Sequence, residues 1–188
     1  MFKIKFLFVF VLLWSLNGCM SSSNYYVLSV APQPVTLYNN KHRAIGVQNV
    51  SVPAYLLKRE IAIAKTSSQI ELLNSAVWGE DLDIGLTHRL ISFLQKKFNQ
   101  PSVYAYPWGV DHSPHIKVNL HITRFIAQGD SVYLDANWEV INLKTNRLKS
   151  KLFHTRIPTS TKITDIVESM DKAFCVLEED IAKGIHRL

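Results

Sequence analysis

The side chains best equipped for chemistry lie between Asp111 and His121. His112 and His115 stand three apart with His121 nearby, and imidazoles at such spacing can ligate a transition metal. Pro114 puts the first two in a loop, however, and His121 falls on the polar side of an alternating strand with no cysteine or glutamate in the motif. The pattern therefore reads as solvated surface histidines. Asp111, His112 and Ser113 are the residue types of a hydrolytic triad, but side chains adjacent in sequence do not converge as a triad must. No Gly-x-Ser-x-Gly turn occurs to lift a serine out as a nucleophile. The seven glycines form neither a dinucleotide fingerprint nor a phosphate loop. No cofactor or metal is implied, and an envelope hydrolase or metalloenzyme is the weakest of the readings.

The two cysteines sit in different settings. Lys3 and Lys5 precede an apolar run from Phe6 to Trp14, which polar Ser15 and Asn17 interrupt. A secretory signal has this form, because its lysines stay cytoplasmic while its apolar core enters the translocon. A spanning helix would need roughly 20 apolar residues. The sequence Leu16, Asn17, Gly18, Cys19 resembles the lipobox of bacterial lipoproteins, in which small residues precede a cysteine that carries diacylglycerol. The expected organisation is a signal peptide over 1–18, a lipidated Cys19 with a serine tether over 19–23, and one domain over 24–188. Met20 stands where aspartate commonly marks inner-membrane retention, so the resemblance implies the outer membrane with the domain facing the periplasm. Cys175 is left without a disulfide partner in the mature chain. It reads as a small residue on the flank of a packed helix, with a redox site as the alternative.

About 170 residues after the signal are enough for one domain with its own core. The 21 lysines and arginines exceed the 15 acids by 6, and with Lys3 and Lys5 removed the mature chain is about +4. This charge is mild and scattered. The cluster Lys144, Arg147, Lys149 and Lys151 is a solvated turn or, alternatively, a contact for lipid headgroups or an acidic partner. Nucleic acid is excluded as a partner of an exported protein.

The elements that must position these residues follow from periodicity. Tyr25 to Val30 and Ala44 to Val50 are β-rich, and Ile61 to Ala64 with Gln69 to Leu73 reads as a hairpin around Ser67 and Ser68. Leu82, Leu86, Leu90, Phe93, Leu94 and Phe98 recur at helical spacing, with Asp81 placed to cap and Asn99, Gln100 and Pro101 to terminate. Val103 to Tyr106 is a short strand. Ile116 to Ile126 and Val132 to Ile141 alternate apolar and polar residues around a turn at Gln128, Gly129 and Asp130, which predicts a hairpin covered on one side. Leu148 to Ile157 adds a strand through Thr145 and Asn146. Ile163, Ile166, Val167, Met170, Phe174, Leu177, Ile181 and Ile185 form the stripe of a last helix. The fold class is α+β in two layers, a mostly antiparallel sheet with both amphipathic helices on one face.

Ile45, Gly46, Val47, then Val50, Val52, Pro53, Ala54, Tyr55, Leu56, then Trp78, Glu80, Leu82, Gly85, Arg89 and Leu90 together resemble the PqiC-type auxiliary lipoproteins of ABC-type and MCE lipid-transport systems. Tyr25, Tyr26 and Leu28, then Tyr106, Pro107 and Trp108, then Ala136 and Trp138 extend the resemblance over nearly the whole mature chain. The sequence departs from the pattern at Leu57, Lys58 and Arg59, where an acidic residue, an arginine and a proline are frequent. The resemblance implies a non-enzymatic, outer-membrane-anchored protein that works with a periplasm-spanning MCE-domain protein moving phospholipid, and that assembles as a homo-oligomeric ring. Tyr55, Trp78 and Trp108 are candidates for the interface. Trp78 and Trp108 flank the first helix, where core packing competes with a partner contact because tryptophan concentrates binding energy at interfaces. An autonomous periplasmic lipid-binding lipoprotein is the alternative function.

Overall fold

The computed structural model describes residues 23–38, 43–107 and 113–188. In chain order these form β1 (Asn24–Tyr26), β2 (Ile45–Gln48), a short 3-10 turn (Ala54–Leu57), β3 (Glu60–Ala64), β4 (Ile70–Trp78), α1 (Leu82–Phe98), β5 (Val103–Tyr106), β6 (Ile116–Gln128), β7 (Ser131–Asn142), β8 (Arg147–Pro158) and α2 (Ile163–His186). The export signal, Cys19, Trp108, Asp111 and His112 lie outside the described residues.

The alternating segments build the centre of the sheet. β6 and β7 pair antiparallel from Ile116↔Asn142 to Gln128↔Ser131, and β8 continues the meander on β7. Val118, Leu120 and Ile122 are buried opposite buried Val140, Trp138 and Ala136, with Ile116 buried at the start of the same strand. A register shift between Ile122 and Arg124 then moves the inward set from even to odd positions, so that Phe125 and Ala127 continue the core. Gly129, at φ 61, and Asn146, at φ 53, supply the left-handed residues of the two turns.

The other edge of β6 is shared. β2 pairs its first residues (Ile45↔Ile116 to Val47↔Val118), and β3 pairs its last (Ile63↔Ala127, Ala64↔Gln128). Two wings result, β2 with β5 and β3 with β4 and β1. The two-layer α+β class is as predicted, with the sheet mixed. Its long ladders are antiparallel, while β1 on β4, β2 on β5, β2 on β6 and β3 on β6 are parallel. A strand of three or four residues carries too little pattern to announce its partner.

Both helices press their apolar stripes on the inward face and share one core with it. α1 ends at Asn99, in the left-handed conformation at φ 47, whose N–H reaches the carbonyls of Gln95 and Lys96. Asp81 stands at the N-cap position with an extended backbone, but its side chain makes no capping bond. α2 crosses Trp138 so closely that a Cβ on Gly184 would lie 2.5 Å from the indole. The same indole donates Nε1–H to Asp180 Oδ2 at 2.9 Å.

Candidate functional site

Arg89 lies within the apolar stripe of α1, one residue before Leu90, and it is fully buried. A guanidinium out of water must be paired and hydrogen-bonded. α2 supplies the partners from positions four and three apart on one of its faces: Asp171, Cys175 and Glu178. Arg89 Nη1 donates to Asp171 Oδ1 at 2.5 Å, Nε to Glu178 Oε1 at 3.2 Å, and Nη2 to Cys175 Sγ at 3.0 Å. Burial works against the guanidinium charge, but the Glu178 and Asp171 carboxyls outweigh it and leave the Arg89 pKa raised. Burial also pushes the Glu178 carboxyl up to about 8, against the pull of Arg89. The Cys175 thiol is pushed up to about 11 by burial, with Arg89 opposing, so it is a neutral thiol and not an activated thiolate.

The same cations hold the segment that follows β1. Arg89 Nη1 also donates to the Leu28 carbonyl at 3.1 Å, and Lys96 Nζ donates to that of Ala31 at 2.6 Å. Fully buried Lys97 bonds Thr36 Oγ1 at 3.0 Å and Glu179 Oε1 at 2.9 Å, with Nζ 4.7 Å from the centre of the Tyr38 ring. Tyr38 in turn stacks on His186 at 4.2 Å and donates its N–H to the Lys97 carbonyl at 2.8 Å. Residues 28–38 thus form a strap across both helices.

The opposite, uncovered face of the sheet is polar. Asn119 Nδ2 donates to Glu139 Oε1 at 3.3 Å, and His121 Nδ1 lies 2.9 Å from Ser51 Oγ beside a cleft of about 340 Å³. Tyr133 is flanked by the Arg124 guanidinium at 4.0 Å and that of Arg156 at 5.5 Å. His154 pairs with Asp135 in the open. Tyr55 is half-buried; its hydroxyl accepts the Phe125 N–H at 3.3 Å, and its ring lines a second cleft with Ile70, Arg124 and Ile126.

The predicted residues are therefore separated. His115 Nδ1 accepts the Ala44 N–H at 3.0 Å, a structural bond at the head of β6. His121 is six residues further along, roughly 20 Å away at strand spacing. Among the described residues no three His, Cys, Asp or Glu side chains are grouped to hold a metal ion. Tyr55 keeps an accessible edge, but Trp78 is only 2% exposed. Its ring packs inward where β4 is paired with β1, and its indole N–H has no hydrogen-bond partner among the described residues. The partner-contact reading of Trp78 is thereby replaced by the core reading. Arg89 and Lys97 have no chemical role in the sequence reading. Their one signal is position, since both sit among the apolar stripe of α1 where solvated charges do not belong.

A family model described as "ABC-type transport auxiliary lipoprotein component" matches residues 26–182. The chain is 24% identical over 189 residues to the intermembrane transport lipoprotein PqiC of Escherichia coli strain K12, covering 98% of each. The Shigella flexneri protein of the same name matches equally. A crystal structure of an uncharacterized protein shares the fold at TM-score 0.71 and 22% identity, over 87% of this chain and 99% of that one. Protein XCC0632 of Xanthomonas campestris shares it at TM-score 0.67 and 14% identity, over 86% and 91%.

Proposed function

The chain belongs to the family of ABC-type transport auxiliary lipoprotein components, and from that membership we propose that it is the outer-membrane-anchored docking subunit of an MCE-type phospholipid transport system. The observation that carries the reading is the match over residues 26–182, nearly all of the domain that follows a lipobox-like Cys19. In this reading residues 1–18 are removed, residues 19–23 carry lipid and tether, and the domain faces the periplasm. One buried acyl chain binds a membrane marginally, at about 0.8 kcal/mol per methylene, whereas the two or three chains of a bacterial lipoprotein hold permanently.

Docking fits the packing better than carriage does. A carrier must enclose acyl chains, since exposing apolar surface costs about 25 cal/mol per Å². Here the large apolar side chains of helices and sheet are buried against one another. The functional surface of a dock lies instead between copies and toward the conduit, on the uncovered sheet face near Tyr55 and at Trp108. The partners are an MCE-domain protein and further copies of this chain in a ring.

Replacing Cys19 with serine removes the lipid acceptor. Metabolic labelling with a fatty acid should mark the wild-type protein and leave Cys19→Ser unlabelled and released from the outer-membrane fraction. Label retained by the variant contradicts the anchor.

A further inference from the structure

The strap and the residues that lead into it have an unusual outer surface. Tyr25 is 69% exposed, Val27 50%, Val30 72%, Val35 98% and Leu37 62%. These are five of the fourteen large apolar residues left exposed among the described residues, all within one short segment. No charged side chain occurs from Cys19 to Asn40, although 19% of the whole chain is charged. A solvated connection normally carries charge, so an uncharged segment with its valines outward calls for a covering surface.

The outward aim is built in. Leu28 and Ala31 point into the core, while Arg89, Lys96 and Lys97 grip the strap from beneath through Leu28, Ala31 and Thr36. With these positions fixed, Val30 and Val35 are held away from the domain. Pro32 and Pro34 keep the backbone extended and remove two N–H groups that would otherwise need partners in a less polar medium.

We propose that this strap is a membrane-contact surface, lying against the lipid interface of the membrane that carries the anchor, so that the helix layer faces the membrane and the polar sheet face points away. The inference rests on the proposed lipidation of Cys19, and chain length selects the occupant. Tyr25 is six residues after Cys19, so even a fully extended tether of about 3.6 Å per residue keeps it within about 22 Å of the acylated sulfur. The strap and the residues that lead into it are thus the described segment nearest in sequence to the lipid. Uncharged, valine-rich and led by a tyrosine, it suits an interface where aromatic rings settle and charges are costly.

The test uses the full-length acylated protein in vesicles of phosphatidylethanolamine and phosphatidylglycerol, with Cys175→Ser to leave one reactive thiol at a chosen site. An environment-sensitive fluorophore is placed at Val35→Cys or Val30→Cys, and for comparison at Leu152→Cys, which is 83% exposed on β8. The strap probes should shift to the blue and be quenched several-fold more by spin-labelled lipid than the β8 probe. Strap probes that stay in water on vesicle-bound protein overturn the inference while leaving the anchor intact. Equal quenching at all sites overturns the orientation. Protein that is not acylated and stays free of vesicles removes the anchor and the strap contact together. A strap probe that dries with rising protein concentration in detergent, without vesicles, assigns the surface to a second copy and contradicts the proposal.

Discussion

Arg89 ties both helices and the strap together at one fully buried point. Its partners Leu28, Asp171 and Glu178 are 61, 82 and 89 residues away, and an arginine on an amphipathic helix reads by default as solvated. Only its place beside Leu86, Leu90 and Phe93 betrays it. Glu178 gives the cluster a pH signature. Its folded pKa of about 8 stands above the ordinary 4.5, so the folded protein keeps a proton there that the unfolded chain has already released. The stability this contributes is complete below about 4.5 and is lost as pH rises towards 8. Glu178→Gln, neutral at every pH, should flatten the decline of melting temperature across that window relative to wild type; identical profiles for the two proteins would contradict it. Gly184 offers a steric counterpart. Its absent side chain admits the Trp138 ring, so Gly184→Ala should destabilise by about 1–3 kcal/mol through overpacking. Denaturant titration should find the cost reduced when Trp138→Leu is present, because contacting sites are not additive.

Whole elements were far more legible. α1 from Leu82 to Phe98 and β5 from Val103 to Tyr106 have the limits that spacing predicts, and the faces of β6 and β7 follow their alternation. A long amphipathic pattern records burial many times over, so local exceptions cannot hide it. Three features lay beyond this logic. The bulge after Ile122 reverses which residues face inward, and periodicity alone cannot anticipate an inserted residue. The strand expected from Tyr25 to Val30 stops at Tyr26, because Leu28 and Ala31 leave the sheet to meet the helices. The short parallel pairings depend on connections through other elements. At the β6–β7 turn the requirement is local: Gly129 is held at φ 61, which a branched side chain resists by about 1–2 kcal/mol. Gly129→Val should lower stability by that amount in thermal unfolding, with Asn tolerated better than Val at the same position.

At the scale of the molecule, the two faces of the sandwich are unlike. One carries the helices and an uncharged strap, and the other is a polar sheet face with Tyr55, Tyr133 and their neighbouring arginines around open clefts. This asymmetry fits a protein held at one surface and working at another. Of the residues the sequence offers for an interface, Tyr55 keeps an accessible edge, whereas Trp78 belongs to the core. A tryptophan between two elements satisfies either role in a sequence, and only the pairing of β4 with β1 and β3 closes it in.

The most direct measurement of the docking account is capture of the full-length, acylated protein from crosslinked native envelopes, followed by identification of what is bound. An MCE-domain protein in stoichiometric amount, together with crosslinked multiples of the chain itself, is the predicted result. Recovery of the acylated protein as a monomer with bound phospholipid and no MCE-domain partner would contradict the account and favour an autonomous lipid-binding lipoprotein.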